Sequence, residues 1–177
     1  MRLLCLDVDG VLTDGGLHYT EGGEELKTFS TQDGHALKML AASGVPAAII
    51  TGRSTRLVAR RAGELGIAHL FQGVADKRSA FEALLERTGV PADAAAHVGD
   101  DVPDLPILVR AGLALAPANL HPALREHVHH VTSARGGDGA VREVCELLMR
   151  ARGTWADALA PISDAARAPV DPRRRDA

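Results

Sequence analysis

Residues 1–15 read MRLLCLDVDGVLTDG, and this stretch decides the fold. Leu3 to Val8 is an apolar run interrupted only by Asp7, as expected of a strand buried on both faces. Asp9-Gly10 then supplies a turn. The same punctuation returns downstream. Ala47–Ile50 runs into Thr51-Gly52-Arg53, and Ala95–Val98 into Gly99-Asp100-Asp101. A shorter run, Ala68–Gln72, is followed past Gly73 by Lys77.

Between these runs the apolar period lengthens to that of helices, over His35–Ser43, Ser54–Leu65, Lys77–Arg87, Pro103–Ala111 and Gly139–Arg150. Gly44, Gly66 and Gly89 fit helix stops. Gly112–Leu115 and Val128–Val131 close the set of strands. Gly16–Phe29 reads as a hairpin turning at Glu21-Gly22-Gly23-Glu24. Alternating strands and helices predict an α/β, Rossmann-like parallel sheet covered by helices on both faces. One domain is expected over 1–152, with the Ala-, Pro- and Arg-rich stretch 153–177 as a flexible tail.

Composition narrows the function. Of the 177 residues 46% are hydrophobic and only 3% aromatic, so the core must be aliphatic. A net charge of −3 with mixed signs offers no field for nucleic acid. No apolar run reaches the roughly 18 residues of a membrane span, and Asp7 interrupts any signal-peptide core. Cys5 and Cys145 are far apart, lack metal-ligand spacing and suit a reducing cytoplasm. The expected protein is soluble and cytoplasmic, with a small-molecule partner.

In an open α/β sheet the ligand sits beyond the carboxyl ends of the strands. Asp7, Asp9, Thr51, Lys77 and Asp100 all fall there. Each alone reads more simply as a turn or solvent-facing residue; their conjunction does not. Three neighbouring carboxylates repel unless a cation lies among them. An all-oxygen donor set favours Mg²⁺ over zinc. Mg²⁺ and a lysine can together neutralise a phosphoryl group, the main demand of phosphoryl transfer. Asp7 is then the candidate nucleophile, Asp9 the acid and base two residues on, and Thr51 a donor to phosphate oxygen.

The order of these pieces resembles the haloacid dehalogenase superfamily, with DVDGVLTDG at 7–15, ITGR at 50–53, Lys77, and GDDVPD at 99–104. With GEELKTFSTQDG at 23–34, LGIAHLFQG at 65–73, HVGDDVPDLPIL at 97–108 and GAVREVCELL at 139–148, the chain is similar to the capless 3-deoxy-D-manno-octulosonate 8-phosphate (KDO 8-phosphate) phosphatases. That resemblance implies hydrolysis of a sugar-acid phosphate, KDO 8-phosphate, through a phosphorylated Asp7. It implies Mg²⁺ on Asp7, the Asp9 backbone carbonyl and Asp100, with Asp104 in support. It carries substrate contacts over to Ser30, Thr31, Gln32, Asp33, Gly34, Lys38, Gly52, Arg53, Arg61 and Lys77. It also implies a hairpin flap at about 16–29 in place of a large cap domain. The flaps would gather at the centre of a homotetramer, covering Leu17, Tyr19 and Phe29.

Gln32, His35, Lys38 and Asp138 depart from the family pattern, in which Arg, an aromatic after a glycine, Arg and Arg are usual. Three of these four changes remove positive charge or bidentate donors near the acid end of the substrate. The alternatives are the same chemistry on a nine-carbon sialic-type acid 9-phosphate or another phosphosugar, a phosphorylation-sensing receiver module, and a non-catalytic subunit. A receiver places its acids on different strands and in another order than Asp7-x-Asp9 followed by Asp100-Asp101.

Overall fold

The computed structural model describes residues 1–160. Its centre is a six-stranded, wholly parallel sheet. The strands are β1 (Leu3–Leu6), β4 (Ala47–Ile50), β5 (His69–Phe71), β6 (Ala95–Val98), β7 (Leu113–Ala116) and β8 (His130–Val131), in spatial order β5-β4-β1-β6-β7-β8. A separate two-stranded ribbon pairs β2 (His18–Tyr19) with β3 (Glu25–Leu26), antiparallel. The helices are α1 (Thr31–Ala42), α2 (Arg56–Leu65), α3 (Lys77–Thr88), α4 (Leu105–Leu108) and α5 (Ala140–Ala151).

Strand alternation sends side chains to two cores. Leu4 and Leu6 join Ile49, Ala96 and Val98 under α1, α2 and α5. Leu3 and Cys5 join Ala48, Ile50 and Ala95 under Phe81 and Leu84 of α3 and Ile107 of α4. Burial on both faces is why β1, β4 and β6 read as unbroken apolar runs rather than alternating ones. Cys5 and Cys145 are both buried and unpaired, as expected.

β4 and β6 fall where the sequence places them. The starts of α1 and α2 move, and caps explain both. α1 begins four residues earlier than its apolar period shows, because the Ser30 hydroxyl accepts from the Asp33 amide at 3.3 Å. α2 begins two residues later, with the Thr55 hydroxyl accepting from the Leu57 amide. The helix expected over Pro103–Ala111 is a single turn, Leu105–Leu108, preceded by a 3₁₀ turn at Val102–Asp104.

Helical structure resumes at residues 155–160, and Trp155, Ala158 and Leu159 pack against the α1/α5 core. This part of the segment expected to be a tail is therefore docked. The rest, with its triple Arg at 173–175, lies outside the described residues. Among the described residues no helix is long and apolar enough to cross a membrane.

The hairpin strands do not pair with the main sheet, and the hairpin is tied to the carboxyl ends of β1 and β4 through Lys27–Asp9 and Glu25–Arg53. Leu17, Tyr19 and Leu26 are about half exposed on it. Phe29 departs from expectation. It is partly buried against the α1 core, with the Arg61 guanidinium over its ring at 5.8 Å. Leu26 takes its place among the exposed apolar residues because it faces away from Glu25 and Lys27 on the two-residue period of the strand.

Candidate active site

The order β4-β1-β6 puts the sheet's three most buried strands side by side. Their carboxyl ends therefore deliver Thr51, Asp7 and Gly99-Asp100 to one place. Backbone bonds fix these ends: Asp7 N donates to Val98 O at 3.0 Å and Thr51 N to Phe71 O at 2.9 Å. Lys77 arrives at the first turn of α3, whose N-cap is Asp76. Asp104 arrives through the 3₁₀ turn, whose capping box joins it to Asp101.

A cavity of about 320 Å³ results, lined by Asp7, Asp9, Gly15, Thr51, Gly52, Arg53, Lys77, Asp100, Asp101, Pro103 and Asp104. Five carboxylates thus face two cations. Lys77 Nζ bridges Asp7 Oδ2 at 3.0 Å and Asp104 Oδ1 at 2.7 Å. Asp104 is fully buried and also meets His97 Nε2 at 3.3 Å. Its other oxygen accepts from the Asp100 and Asp101 amides.

Titration follows from this crowding. Burial pushes the Asp7 carboxyl above its ordinary range, Asp104 adds to the rise, and Lys77 opposes it. Burial, with Asp104 and Asp7 nearby, pushes Asp100 up to about 7. Burial would raise Asp104 too, but bonds from His97 and Lys77 outweigh it and hold that carboxyl low. Burial works against the Lys77 charge, yet Asp104 and Asp7 overcome it and raise its pKa.

The residues fit a divalent cation. Asp7, Asp100 and Asp104 each offer a carboxylate oxygen, and the three oxygens lie within 4.8 Å of one another. Asp7 Oδ1 and Asp100 Oδ1 are buried without any hydrogen-bond partner. Buried acceptors are normally satisfied, and a cation shared among them would satisfy both. Hard oxygen donors suit Mg²⁺. Asp9 lies outside this cluster of side chains, because Lys27 holds its carboxylate. Glycine makes the crowding possible: a Cβ on Gly10 would sit 1.9 Å from Asp100 Oδ2, and one on Gly99 2.4 Å from Asp104 Cβ.

The cavity gathers Asp7, Asp9, Thr51, Gly52, Arg53, Lys77, Asp100 and Asp104 from the expected set. Ser30, Thr31, Gln32, Asp33, Gly34, Lys38 and Arg61 do not line it in the protomer. Ser30 caps α1, and its carbonyl accepts from Arg61 Nη2 at 3.1 Å. Asp33 is buried and accepts from the Arg142 amide at 2.7 Å, so it caps α5, whose N-cap Gly139 has no side chain to offer. Gly34 is where Arg61 crosses α1: a Cβ there would stand 2.2 Å from Arg61 Nη2. Thr31 and Gln32 are exposed. Lys38 lines a different groove, with Met39, Ser43, Thr154 and Asp157.

Several participants were not singled out from the sequence. Lys27 binds Asp9 and lies 3.3 Å from Glu25 Oε1. Glu25 accepts from Arg53 Nη2 at 3.0 Å. Asn119 donates to Gly10 O at 2.9 Å and accepts from Gly136 N at 2.7 Å, pinning the first loop. A signal existed for the hairpin pair, since Glu25 and Lys27 alternate with Leu26 and so share one face.

The parallel sheet with four loops converging on a carboxylate cluster and a lysine defines a hydrolase of the phosphoryl-transfer kind. A family model for haloacid dehalogenase-like hydrolases matches residues 16–112. KDO 8-phosphate phosphatase KdsC of Salmonella typhi is 46% identical over 158 residues, 89% of this chain and 84% of that protein. A solved KDO 8-phosphate phosphatase from Moraxella catarrhalis, in complex with magnesium, phosphate and KDO, superposes with a TM-score of 0.89 at 42% identity, covering 92% of this chain and 93% of that one. A "probable yrbi family phosphatase" from Pseudomonas syringae gives 0.90 at 50% identity, covering 92% of each chain. The chain belongs to the haloacid dehalogenase-like hydrolases, in the family of the KDO 8-phosphate phosphatases.

Proposed function

We propose that this protein is a Mg²⁺-dependent phosphomonoesterase that converts KDO 8-phosphate to KDO and inorganic phosphate. The observation that carries the chemistry is Asp7. Its Oδ1 is buried without a partner, beside the oxygens of Asp100 and Asp104, while Lys77 holds its Oδ2. The substrate follows from the relatives, together with Arg53, a guanidinium at the cavity that suits a carboxylate.

Asp7 attacks phosphorus and becomes phosphorylated, while the sugar oxygen leaves with a proton from Asp9. Asp9 has to take up that proton as substrate binds, because in the free protein it is a carboxylate paired with Lys27. Asp9, now a carboxylate, takes a proton from the water that attacks the phosphoryl-aspartate. Phosphate departs and Asp7 is restored. Lys77 balances charge on the transferring group, and Thr51 donates to one of its oxygens. Bound Mg²⁺ supplies charge neutralisation to the phosphoryl oxygens and to the crowded acids.

The same reading makes the protein a cytoplasmic homotetramer with the hairpins at its centre. Exposed Leu17, Tyr19 and Leu26 support it, since a two-stranded ribbon is marginal by itself. Of the expected substrate contacts, exposed Thr31, Gln32 and Lys38, with Arg61, then serve a site completed by a neighbouring subunit, whereas buried Asp33 and Gly34 position α5 and Arg61.

Purified protein with Mg²⁺ should release phosphate from KDO 8-phosphate, and Asp7→Asn should abolish the release. Undiminished release by Asp7→Asn removes Asp7 from the nucleophile's role. A sialic-type acid 9-phosphate preferred by 100-fold in kcat/KM, about 2.7 kcal/mol, overturns the substrate.

A further inference from the structure

Of the two cations lining the cavity, Lys77 is committed to Asp7 and Asp104. Arg53 is the other, and among the described residues lining the cavity it is the cation placed to meet a second anionic group on a ligand. It is already engaged. Its Nη2 donates to Glu25 Oε1 at 3.0 Å and to the Tyr19 hydroxyl at 3.4 Å, both on the hairpin. Its Nε lies 3.8 Å from Asp9 Oδ2 and is buried without a hydrogen-bond partner. One edge of the guanidinium is thus taken by a carboxylate of the protein, and another donor is unused.

The engagement is a chain of charges. Arg53 meets Glu25, Glu25 meets Lys27, and Lys27 meets Asp9. The Lys27 side chain is 1% exposed, whereas that of Arg53 is 41% exposed. The buried end of the chain is therefore fixed and its outer end is open to exchange. Burial works against the Glu25 charge, yet the bonds from Lys27 and Arg53 together outweigh it and hold that carboxyl low, while the bonds that Arg53 gives to Tyr19 and Glu25 raise the guanidinium.

We propose that Glu25 is a specificity-determining residue: its carboxylate fills, in the ligand-free protein, the Arg53 subsite that the carboxylate of a sugar acid occupies on binding. A ligand with a carboxylate replaces Glu25 at the guanidinium and recovers the bond it breaks. A ligand without one leaves Glu25 in place and draws nothing from Arg53. This inference rests on the reading of Arg53 given under the proposed function. A purely structural latch would hold the hairpin down equally against every ligand. An internal competitor weakens carboxylate-bearing ligands alone.

The test is calorimetric binding to the full chain loaded with Mg²⁺, with KDO as the carboxylate-bearing probe and inorganic phosphate as the carboxylate-free one. In Glu25→Gln the ratio of the KDO to the phosphate dissociation constant should fall about two- to fivefold, the scale of a partly exposed ion pair. Glu25→Ala should move it the same way. A ratio that is unchanged or raised in both variants overturns the proposal. Turnover of KDO 8-phosphate by the unaltered protein is measured separately. Its absence would sink the proposed substrate, while the ratio still reports on the carboxylate subsite through N-acetylneuraminate as a second acid probe.

Discussion

Gly10→Ala tests how the acidic cluster is assembled. The residue has φ +87°, a left-handed conformation that costs an L-residue roughly 1–2 kcal/mol. The steric cost is separate. The new Cβ would stand 1.9 Å from Asp100 Oδ2 and 2.4 Å from its Cγ, against 3.4 Å for the shortest ordinary contact. The Asp100 carboxylate must therefore retreat by more than an ångström, out of the 4.8 Å grouping it shares with Asp7 and Asp104. A misplacement of about 1 Å can cost on the order of 10²-fold in rate. We expect kcat/KM to fall about 100-fold and half-saturation to need more Mg²⁺. Backbone strain should lower Tm by roughly 2–8 °C. Gly66→Ala is the control, because it imposes similar strain at φ +71° with nothing within 4 Å of the new Cβ. It should lose thermal stability and keep its activity and metal requirement. If Gly10→Ala retained the original kcat/KM and Mg²⁺ dependence, Gly10 would not be what lets Asp100 reach the cluster.

Two further outcomes follow from the same charges. Lys77→Met strands buried Asp7 and Asp104 without their shared cation, so urea unfolding of the metal-free protein should show a loss of about 3–5 kcal/mol, and phosphate release should fail; unchanged stability would contradict the bridge. In the metal-free protein Asp7 and Asp100 have folded-state pKa values above their unfolded ones, Asp100 at about 7. The folded state therefore holds protons that the unfolded state has already lost between about pH 4 and 7, and stability should fall as pH rises through that window. Mg²⁺ replaces those protons, so at pH 7.5 an excess of 100 times its Kd should add about 2.7 kcal/mol, and the benefit should fade below pH 7. Glu25, Glu64, Asp76 and Asp104 titrate low and act with the opposite sign at the acid end. Melting curves with and without chelator are therefore compared with those of Asp100→Asn, and a metal-free Tm that climbs from about pH 5 to 7 relative to that variant would reverse the sign argued here.

The catalytic half of the site was legible because it lies on buried parallel strands. Such strands must be apolar throughout, so a carboxylate or Thr-Gly at the end of the run stands out, as at Asp7, Thr51 and Asp100. Sheet order then does the assembly, because β4 and β6 both pair with β1 and so bring their carboxyl ends to the same edge. The segment 30–34 was less legible because one pattern serves two purposes. Ser30 to Gly34 fit both a substrate loop and a helix start, and in the protomer the cap is what is made, with Asp33 reaching on to α5. Spacing along the chain shows that a polar residue is needed without showing which neighbour needs it.

The hairpin charges were hidden for a different reason. Glu25 and Lys27 look like any solvated pair on an edge ribbon, where charges are expected. What separates them from that reading is the location of the ribbon, set by the fold rather than by their own sequence. Once β1 ends beneath the hairpin, Lys27 falls on Asp9 and Glu25 on Arg53. A surface pair normally contributes little because water competes for both partners. Here the Lys27 side chain is almost sealed from water, while Arg53 at the other end is not. The same four charges can therefore hold the hairpin over Asp9 and still yield Arg53 to an incoming carboxylate.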